Sequence, residues 1–298
     1  MRRESLGSRV FDVFNIAIML IILVVVLFPI FNIISISMSD ARSVASGSVY
    51  VWPKGFTLQS YIDIFKDKFI TSGYINSIVY AVGSTFIMLL FTSLFAYPLT
   101  VQGFAGKKFL TIFLMITMFF SGGLIPTYLL IRSLGMLDTV WVMVLPAAVG
   151  AYNVFLFRTF FQNIPSEVKD AALIDGANEI VSLFRIILPL SKPLLATFAL
   201  FGIVGSWNAW FEALIYLQSE DHYPLQMILR NYLFKLDTSA IQGRVGAGNV
   251  AVNGQGSQLD PQSIRMAVVI VTMFPIMVIY PFFQKYFTKG MFVGSIKG

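Results

Sequence analysis

The stretch VFNIAIMLIILVVVLFPIFNIISISMS at residues 13–39 holds 27 consecutive residues without Asp, Glu, Lys or Arg. A helix needs about 20 apolar residues to cross the hydrocarbon core of a bilayer, so this stretch is long enough to span it. It is too long for the apolar part of a signal peptide, which has about 7 to 15 residues, and no small-x-small cleavage site closes it. We therefore expect a membrane helix that is retained.

Five further uncharged runs of at least 19 residues follow along the chain. They cover residues 69–106, 109–131, 139–157, 193–211 and 266–284. The next longest run, residues 245–259, has 15 residues rich in Gly and Asn, which indicates a polar loop. Only 12% of all residues are charged, about half the share in a soluble domain. The sequence predicts an all-α integral membrane protein with six transmembrane helices.

The positions of Lys and Arg predict the orientation. Six spans put both termini on one side of the membrane. If that side is the cytoplasm, the inside segments carry 12 basic residues in 66 positions and the outside segments carry 9 in 89. Because cytoplasmic loops carry the excess of Lys and Arg, an N-in, C-in orientation is favoured. A basic stripe typical of nucleic-acid binding is absent from the sequence, so no nucleic acid is expected as a partner.

Glycines, prolines and helical periodicity predict details of several segments. The second membrane helix is expected near residues 72–101, and Gly122, Gly123 and Pro126 should break or kink the third near its outer end. In the outer segment 216–265, apolar residues at helical spacing predict an amphipathic helix; they are Leu225, Ile228, Leu229, Tyr232 and Leu233. That helix either packs on its own subunit, lies in the headgroup region, or docks a second protein.

The segment 158–192, between the fourth and fifth spans, contains a short helix bracketed by two residues. Pro165 can open a helix and Gly176 can close one, which brackets SEVKDAALID. Four residues share one face of it by their spacing: Glu167, Asp170, Ala171 and Ile174. Further on, Pro189 and Pro193 interrupt regular helix where the fifth span enters the membrane. Such a segment is suited to being gripped by a partner.

The same segment resembles a known family signature. Asp170-Ala171-Ala172, three residues, Gly176, nine residues and Ile186-x-Leu188-Pro189 match the E-A-A-x(3)-G-x(9)-I-x-L-P pattern of ABC importer permeases, with Asp170 in place of Glu. The stretch LPLSKP, the Gly-rich residues 246–267 and the tail KGMFVGSIKG are similar to the carbohydrate-uptake branch, of the maltose-permease small-subunit, LplC/YtcP-like type. The resemblance covers essentially the whole chain.

The resemblance implies the type I ABC importer permease fold in two parts. Residues 1–68 would form an N-terminal tail, the first transmembrane helix and an outer loop. Residues 69–298 would form a permease core with five transmembrane helices, a cytoplasmic coupling helix near residues 165–176 and the outer loop 216–265. The residues that would couple the chain to an ATPase are Glu167, Asp170, Ala171, Ala172, Asp175, Gly176, Ile186, Leu188 and Pro189. The tail at residues 290–298 would reach toward the same interface.

The resemblance also implies a function and a set of partners. The chain would be a permease subunit in the bacterial plasma (inner) membrane, forming half of the pathway for an oligosaccharide. Its partners would be a second permease in a heterodimer, two ATPase subunits, an extracytoplasmic solute-binding lipoprotein and membrane lipid. ATP and Mg would be bound by the ATPases, because residues 103–108, GFAGKK, lack the spacing and the Ser or Thr of a P-loop.

Four residues of the sequence SWNAWFEALIY are the first candidates for the sugar pathway. Asn208 and Glu212 are four residues apart and would share a helix face, beside Trp207 and Trp210. The alternative is an interfacial aromatic belt with a helix-packing contact at Gly202. Weaker candidates, for which interhelical hydrogen bonding is the competing interpretation, are Asn76, Tyr80, Tyr152 and Asn153.

Two other function classes compete with an ATP-driven permease. A secondary transporter driven by protons or sodium needs ionisable groups or broken helices near the bilayer centre, and only Glu212 comes close to qualifying. A membrane enzyme needs a catalytic cluster, but the chain has no Cys and one histidine, His222. The sequence therefore predicts no catalytic residues and no metal site in this chain.

Overall fold

The computed structural model of the chain describes residues 6–234 and 261–293, and regular structure within them is helical. The expected Gly-rich loop at residues 245–259 and the end of the tail, residues 294–298, lie outside this part. In chain order the α-helices are α1 (Leu6–Ser37), α2 (Ala41–Ala45), α3 (Gln59–Lys66), α4 (Lys68–Ala96), α5 (Lys107–Phe119), α6 (Leu124–Ser133), α7 (Val140–Val144), α8 (Ala151–Gln162), α9 (Ser166–Ile174), α10 (Glu179–Ser182), α11 (Leu188–Leu190), α12 (Lys192–Trp207), α13 (Trp210–Tyr216), α14 (residues 225–234) and α15 (Pro261–Val293).

Three helical segments are long and apolar enough to cross a membrane on their own. They are Gly7–Ser37, Lys68–Thr100 and Pro261–Gln284. Two bent pairs also pass when each pair is taken together: α5 with α6, bent by 119°, and residues 179–190 with α12, bent by 81°. In the part of the chain that the structure describes, the span candidates thus number three, or five if each bent pair is one span.

The predicted break in the third span is confirmed and is sharper than a kink. Helix α5 ends at Phe119 and α6 begins at Leu124. Between them Gly123 has φ 83°, a left-handed backbone that only glycine adopts without steric cost. Pro126 lies in the first turn of α6, where its missing N–H removes no helical hydrogen bond. The chain therefore turns by 119° at this break instead of continuing along one helix axis.

The region expected to hold the fourth span, residues 139–157, is not one continuous helix. Helix α7 ends at Val144, and α8 begins only at Ala151. Pro146 explains the interruption, because it has no N–H to donate and its ring clashes with the carbonyl four residues earlier. Gly150 then starts the new helix in an extended conformation, with φ −106°.

The chain divides into two compact units, and the first draws its described residues from the ranges Met1–Lys68 and Asn231–Phe274. Within it the side chains of residues 7–26 of α1 are exposed, as expected of an apolar helix whose solvent is lipid. A small core lies where α1 ends; it consists of Ile36, Val44 and Val49, with Met266 packed against them. Asp40 caps α2 by accepting a hydrogen bond from the Ser43 N–H at 2.9 Å.

The second unit draws its described residues from the ranges Phe69–Arg230 and Pro275–Gly298, and it contains two buried clusters. One joins α4, α5, α8 and α12 with the segment before α12; its larger members are Met88, Tyr97, Leu114, Phe157, Phe161, Ile187 and Phe198. The other joins α4, α6, α7, α13 and α14; its larger members are Tyr80, Ile131, Met143, Tyr216, Leu217 and Met227. Helix α4 contributes to both clusters and is the common support of this unit.

The amphipathic stretch of the outer segment packs on its own subunit. It forms α14, and Leu225 and Ile228 are buried. The Leu225 N–H donates to Ser77 Oγ at 2.8 Å, and a β-carbon placed on Gly73 would lie 2.4 Å from Ile228 Cδ1. Gly73 therefore allows α14 to approach α4 closely, and the apolar face of α14 is used inside the chain.

Candidate functional site

Helix α9 has the boundaries that Pro165 and Gly176 predict. It begins at Ser166 and ends at Ile174. Gly176 has φ 79°, and the N–H of Ala177 donates to the carbonyl of Ala172 at 2.9 Å. That hydrogen bond across a left-handed glycine is the one that closes a helix at its C-terminus.

The face of α9 that was expected to be free is exposed. Glu167, Asp170 and Ala171 are exposed, and Ile174 is 86% exposed. Ala172 lies on the opposite side and is buried. One large apolar side chain and two carboxylates therefore lie together on the exposed face of α9.

Lys169 anchors α9 to the preceding helix. Its Nζ donates to the carbonyl of Phe161 at 3.2 Å, in the last turn of α8. Burial lowers the pKa of the Lys169 amine, and the negative charge of Glu179 opposes that change. A cation at the C-terminal end of a helix also interacts favourably with the helix dipole.

The segment after α9 changes helical type twice before α12. Asn178 caps α10 by accepting from the Val181 N–H at 2.9 Å, and residues 183–187 then form a π-helical turn. Pro189 lies two residues after this turn, in α11. Its missing N–H removes one α-helical hydrogen bond, and the chain bends by 81° before Lys192. Ile186 and Leu188 are half-buried, while Asp175, Gly176 and Pro189 are exposed.

A short hydrogen bond ties this segment to α4. The Tyr97 hydroxyl, one residue beyond the end of α4, donates to Glu179 Oε2 at 2.6 Å. Tyr97 itself is buried in the cluster that includes Ile187 and Phe157. The loop that begins with α9 is therefore connected to α4 both by packing and by a charge-assisted hydrogen bond.

A cavity of about 290 Å³ lies among α4, α7, α12 and α13. Its polar lining comes from Ser84, Ser206 and Glu212, and its apolar lining includes Met88, Met143, Pro146, Phe201 and Gly202. Gly202 faces α4 so closely that a β-carbon placed there would lie 2.8 Å from Thr85 Oγ1. The broken segment around Pro146 supplies one wall, so the interruption of the fourth predicted span shapes this cavity.

The structure separates the four first candidates for a sugar pathway. Helix α12 ends at Trp207 and α13 begins at Trp210, so the expectation that Asn208 and Glu212 share one helix face is wrong. Trp207 is buried with its ring edge against Tyr74, at 6.1 Å between centroids. Among the four, Glu212 lines the cavity.

Asn208 and Trp210 contact polar groups of α14. The Asn208 Oδ1 accepts from Gln226 Nε2 at 3.0 Å, and its Nδ2 donates to the carbonyl of Val204, also at 3.0 Å. The guanidinium of Arg230 lies 5.2 Å from the centre of the Trp210 ring, in a cation–π contact. An asparagine at a helix end uses its amide to satisfy backbone groups, which accounts for this position.

The weaker candidates for the sugar pathway have different surroundings. Asn76 Nδ2 donates to the carbonyls of Asp221 and Tyr223, and the Tyr80 hydroxyl donates to the carbonyl of His222 at 2.8 Å. These hydrogen bonds attach residues 221–223 to α4. Asn76 and Tyr80 thus have a structural role, as in the competing interpretation, although their partner is a loop and not a second helix. Tyr152 is exposed, and Asn153 Nδ2 lies 3.6 Å from the sulfur of Met88, which lines the cavity.

Sequence reasoning missed a network of hydrogen bonds centred on the carboxylate of Asp138. Its carboxylate accepts hydrogen bonds from the N–H groups of Gln218 and Ser219 at 3.0 Å, from the Ser219 hydroxyl, and from His222 Nδ1 at 3.2 Å. Burial alone would raise the pKa of Asp138, but these hydrogen bonds outweigh burial and hold it far below its usual range. Asp138 has φ 57°, a conformation that Asp tolerates better than most residues. Its partners are about 80 residues away in sequence, so no local signal identified them.

No group of three or more His, Cys, Asp or Glu that could hold a metal ion occurs among residues 6–234 and 261–293.

Comparisons with known proteins agree on one family. The family described as binding-protein-dependent transport system inner membrane component matches residues 70–293. Protein LplC of Bacillus subtilis (strain 168) is 40% identical, over 97% of this chain and 96% of its own length. The polygalacturonan/rhamnogalacturonan transport system permease protein YtcP of the same organism is 36% identical, over 98% of this chain and 99% of its own. A chain of a bacterial ABC transporter involved in the import of the acidic polysaccharide alginate superposes with a TM-score of 0.86 at 29% identity, covering 96% of this chain and 100% of that one.

Proposed function

The chain belongs to the family of binding-protein-dependent transport system inner membrane components, and on that premise we propose that it forms half of the pathway of an ATP-driven oligosaccharide importer. It is a permease component of an ABC sugar importer and lies in the inner membrane. The other half of the pathway would be formed by a different permease subunit, so the pathway would run between the two chains.

The proposed topology has six spans with both termini in the cytoplasm. Three spans are single helices, and the bent pairs supply two more. The sixth is α7 and α8 taken together, in which the break at Pro146 lies within the membrane. Non-helical backbone at membrane depth is tolerated where it lines a cavity, and Pro146 does line one.

The exposed face of α9 is the single observation that carries the coupling proposal. Glu167, Asp170 and Ile174 protrude from a short helix whose ends are fixed by Pro165 and Gly176. A rigid helix whose exposed face carries both acidic and apolar side chains is suited to insertion into a cleft of an ATPase subunit. The proposed coupling residues are those of the family signature, from Asp170 to Pro189, together with Glu167 and Asp175.

The cavity at Glu212 is the proposed contribution of this chain to the sugar pathway. A carboxylate, two hydroxyls and the ring of Phe201 line it, and such groups bind sugar hydroxyls and the apolar faces of sugar rings. Asn153 and Trp210 lie at or near elements that form the cavity, whereas Trp207, Asn76 and Tyr80 contribute through packing and loop attachment.

The proposed complex also contains two ATPase subunits, which bind ATP and Mg, and an extracytoplasmic binding lipoprotein that delivers the sugar. Uptake by the reconstituted complex tests the proposal. We expect oligosaccharide accumulation in proteoliposomes only with ATP on the ATPase side and the binding protein on the other side. Accumulation driven by a proton or sodium gradient without nucleotide would favour the secondary-transporter alternative and refute the ATP-driven mechanism.

A further inference from the structure

A second cavity, of about 440 Å³, lies between the start of α5 and the end of α8. Its lining includes three cationic side chains, Lys107, Lys108 and Arg158, together with Thr111 and Ile112. No acidic side chain belongs to this described lining. Three like charges around one cavity repel each other unless an anion lies among them, so the site is complementary to a negatively charged group.

Arg158 lines the cavity and has a hydrogen-bond donor that the described protein groups do not satisfy. The residue is half-buried, and its Nε atom is buried with no hydrogen-bond partner among the described residues. Guanidinium groups bind phosphate oxygens in a planar, two-pronged geometry, whereas lysines act as point charges around them. The cavity therefore combines the two kinds of basic side chain that bind phosphate.

The surface beside the cavity indicates where that phosphate comes from. From its cationic end, α5 presents exposed apolar side chains, among them Phe109, Ile112, Phe113 and Ile116. Phe109 and Phe113 stack on one another at 6.3 Å between ring centres. The 13 residues of α5 extend about 20 Å, roughly 5 Å more than the ~15 Å half-thickness of the hydrocarbon core. An acyl chain can lie along this face while its headgroup stays at the cations.

We propose that Lys107, Lys108 and Arg158 bind the phosphate of an anionic phospholipid from the cytoplasmic leaflet. Basic pockets between membrane helices on the cytoplasmic side are suited to such headgroups. The inference rests on the proposed orientation, which puts residues 102–108 in the cytoplasm. It adds a lipid site that is separate from both α9 and the sugar cavity.

The test measures lipid retained by the assembled importer. The intact complex is placed in nanodiscs of phosphatidylcholine with a small fraction of phosphatidylglycerol, and bound lipid is counted by native mass spectrometry after release. Wild type should retain phosphatidylglycerol in preference to phosphatidylcholine. Arg158→Gln should weaken retention about fivefold, and Lys107→Gln with Lys108→Gln about 25-fold, at about fivefold per cation. Arg158→Lys should retain more lipid than Arg158→Gln.

Two controls make the result specific. Arg9→Gln removes a basic residue from the same proposed side, outside the cavity, and should leave retention unchanged. Inorganic phosphate at millimolar concentration should not displace the lipid, because it cannot use the apolar face of α5; equal competition would mean that the site binds a soluble anion. Equal loss in Arg9→Gln and the cavity variants, or loss of the ATPase subunits with lipid retention intact, would overturn the proposal.

Discussion

Replacing Gly176 by Ala tests whether the closed end of α9 is needed for coupling. Gly176 has φ 79°, and a β-carbon placed there meets no heavy atom within 4 Å. The cost is therefore confined to the backbone, about 1 to 2 kcal/mol for a residue with a side chain in this conformation. Since 1.4 kcal/mol is a factor of ten, the equilibrium constant for the conformation in which α9 is closed at Gly176 should fall about 5- to 30-fold.

The assay is sugar-stimulated ATP hydrolysis by the reconstituted complex. We expect Gly176→Ala to lower stimulation about tenfold, with normal insertion into the membrane. Gly176→Pro should abolish it, because proline fixes φ near −65° and cannot adopt the left-handed conformation.

Gly103 provides a matched control for the same change. It has φ 76°, a β-carbon there also meets nothing within 4 Å, and its loop is predicted to lie on the same side of the membrane. Gly103→Ala therefore introduces the same local strain away from α9 and should leave stimulation intact. If Gly103→Ala is equally harmful, or if Gly176→Pro keeps full stimulation, α9 is not the coupling element.

Three other changes have defined outcomes. Asp138→Ala should destabilise the protein by about 2 to 4 kcal/mol, seen as a lower unfolding temperature, and Asp138→Asn should destabilise it less because it keeps one acceptor oxygen. Folding lowers the pKa of Asp138, so the contribution of this carboxylate to the free energy of unfolding should be complete above about pH 4, the pKa of an unfolded Asp. That contribution should be lost only as the pH falls below this value. Gly202→Ala should cost about 1 to 3 kcal/mol, because its methyl group would meet α4 at Thr85, whereas Gly205→Ala, with nothing within 4 Å, should be neutral in the same thermal assay. Trp207→Ala with Asn208→Ala should alter uptake kinetics without releasing the ATPase subunits, and unchanged kinetics would remove both residues from any role in the pathway.

Local chemistry made α9 and the third span predictable. Pro165, Gly176, Gly123 and Pro126 act through their own backbone restrictions, which depend little on the rest of the fold. The boundaries of α9 and the break before α6 could therefore be derived from the sequence. The size of the bend at Gly123 could not, because Ile131 of α6 packs in one cluster with Tyr80 and Tyr216, which are distant in sequence.

The cavity shows where sequence reasoning stopped. An uncharged run such as residues 139–157 satisfies a hydropathy count whether it is one helix or two, and Pro146 alone does not decide between a kink and a break. The interruption at Asn208 was also missed, because no proline or glycine marks it. Long-range partners explain it in part: Asn208 bonds to Gln226, 18 residues away.

The Tyr97 hydroxyl on Glu179 has a consequence for how motion would spread through this subunit. Glu179 is the first residue of α10, which follows α9, and Tyr97 lies just beyond the C-terminal end of α4. Helix α4 has 29 residues and is roughly 43 Å long. Ser84 and Met88, in the second half of α4, line the cavity that also contains Glu212. A displacement of the segment that begins at Glu179 should thus move one wall of this cavity through α4. Tyr97→Phe removes the hydrogen bond and should allow the segment and α4 to move independently.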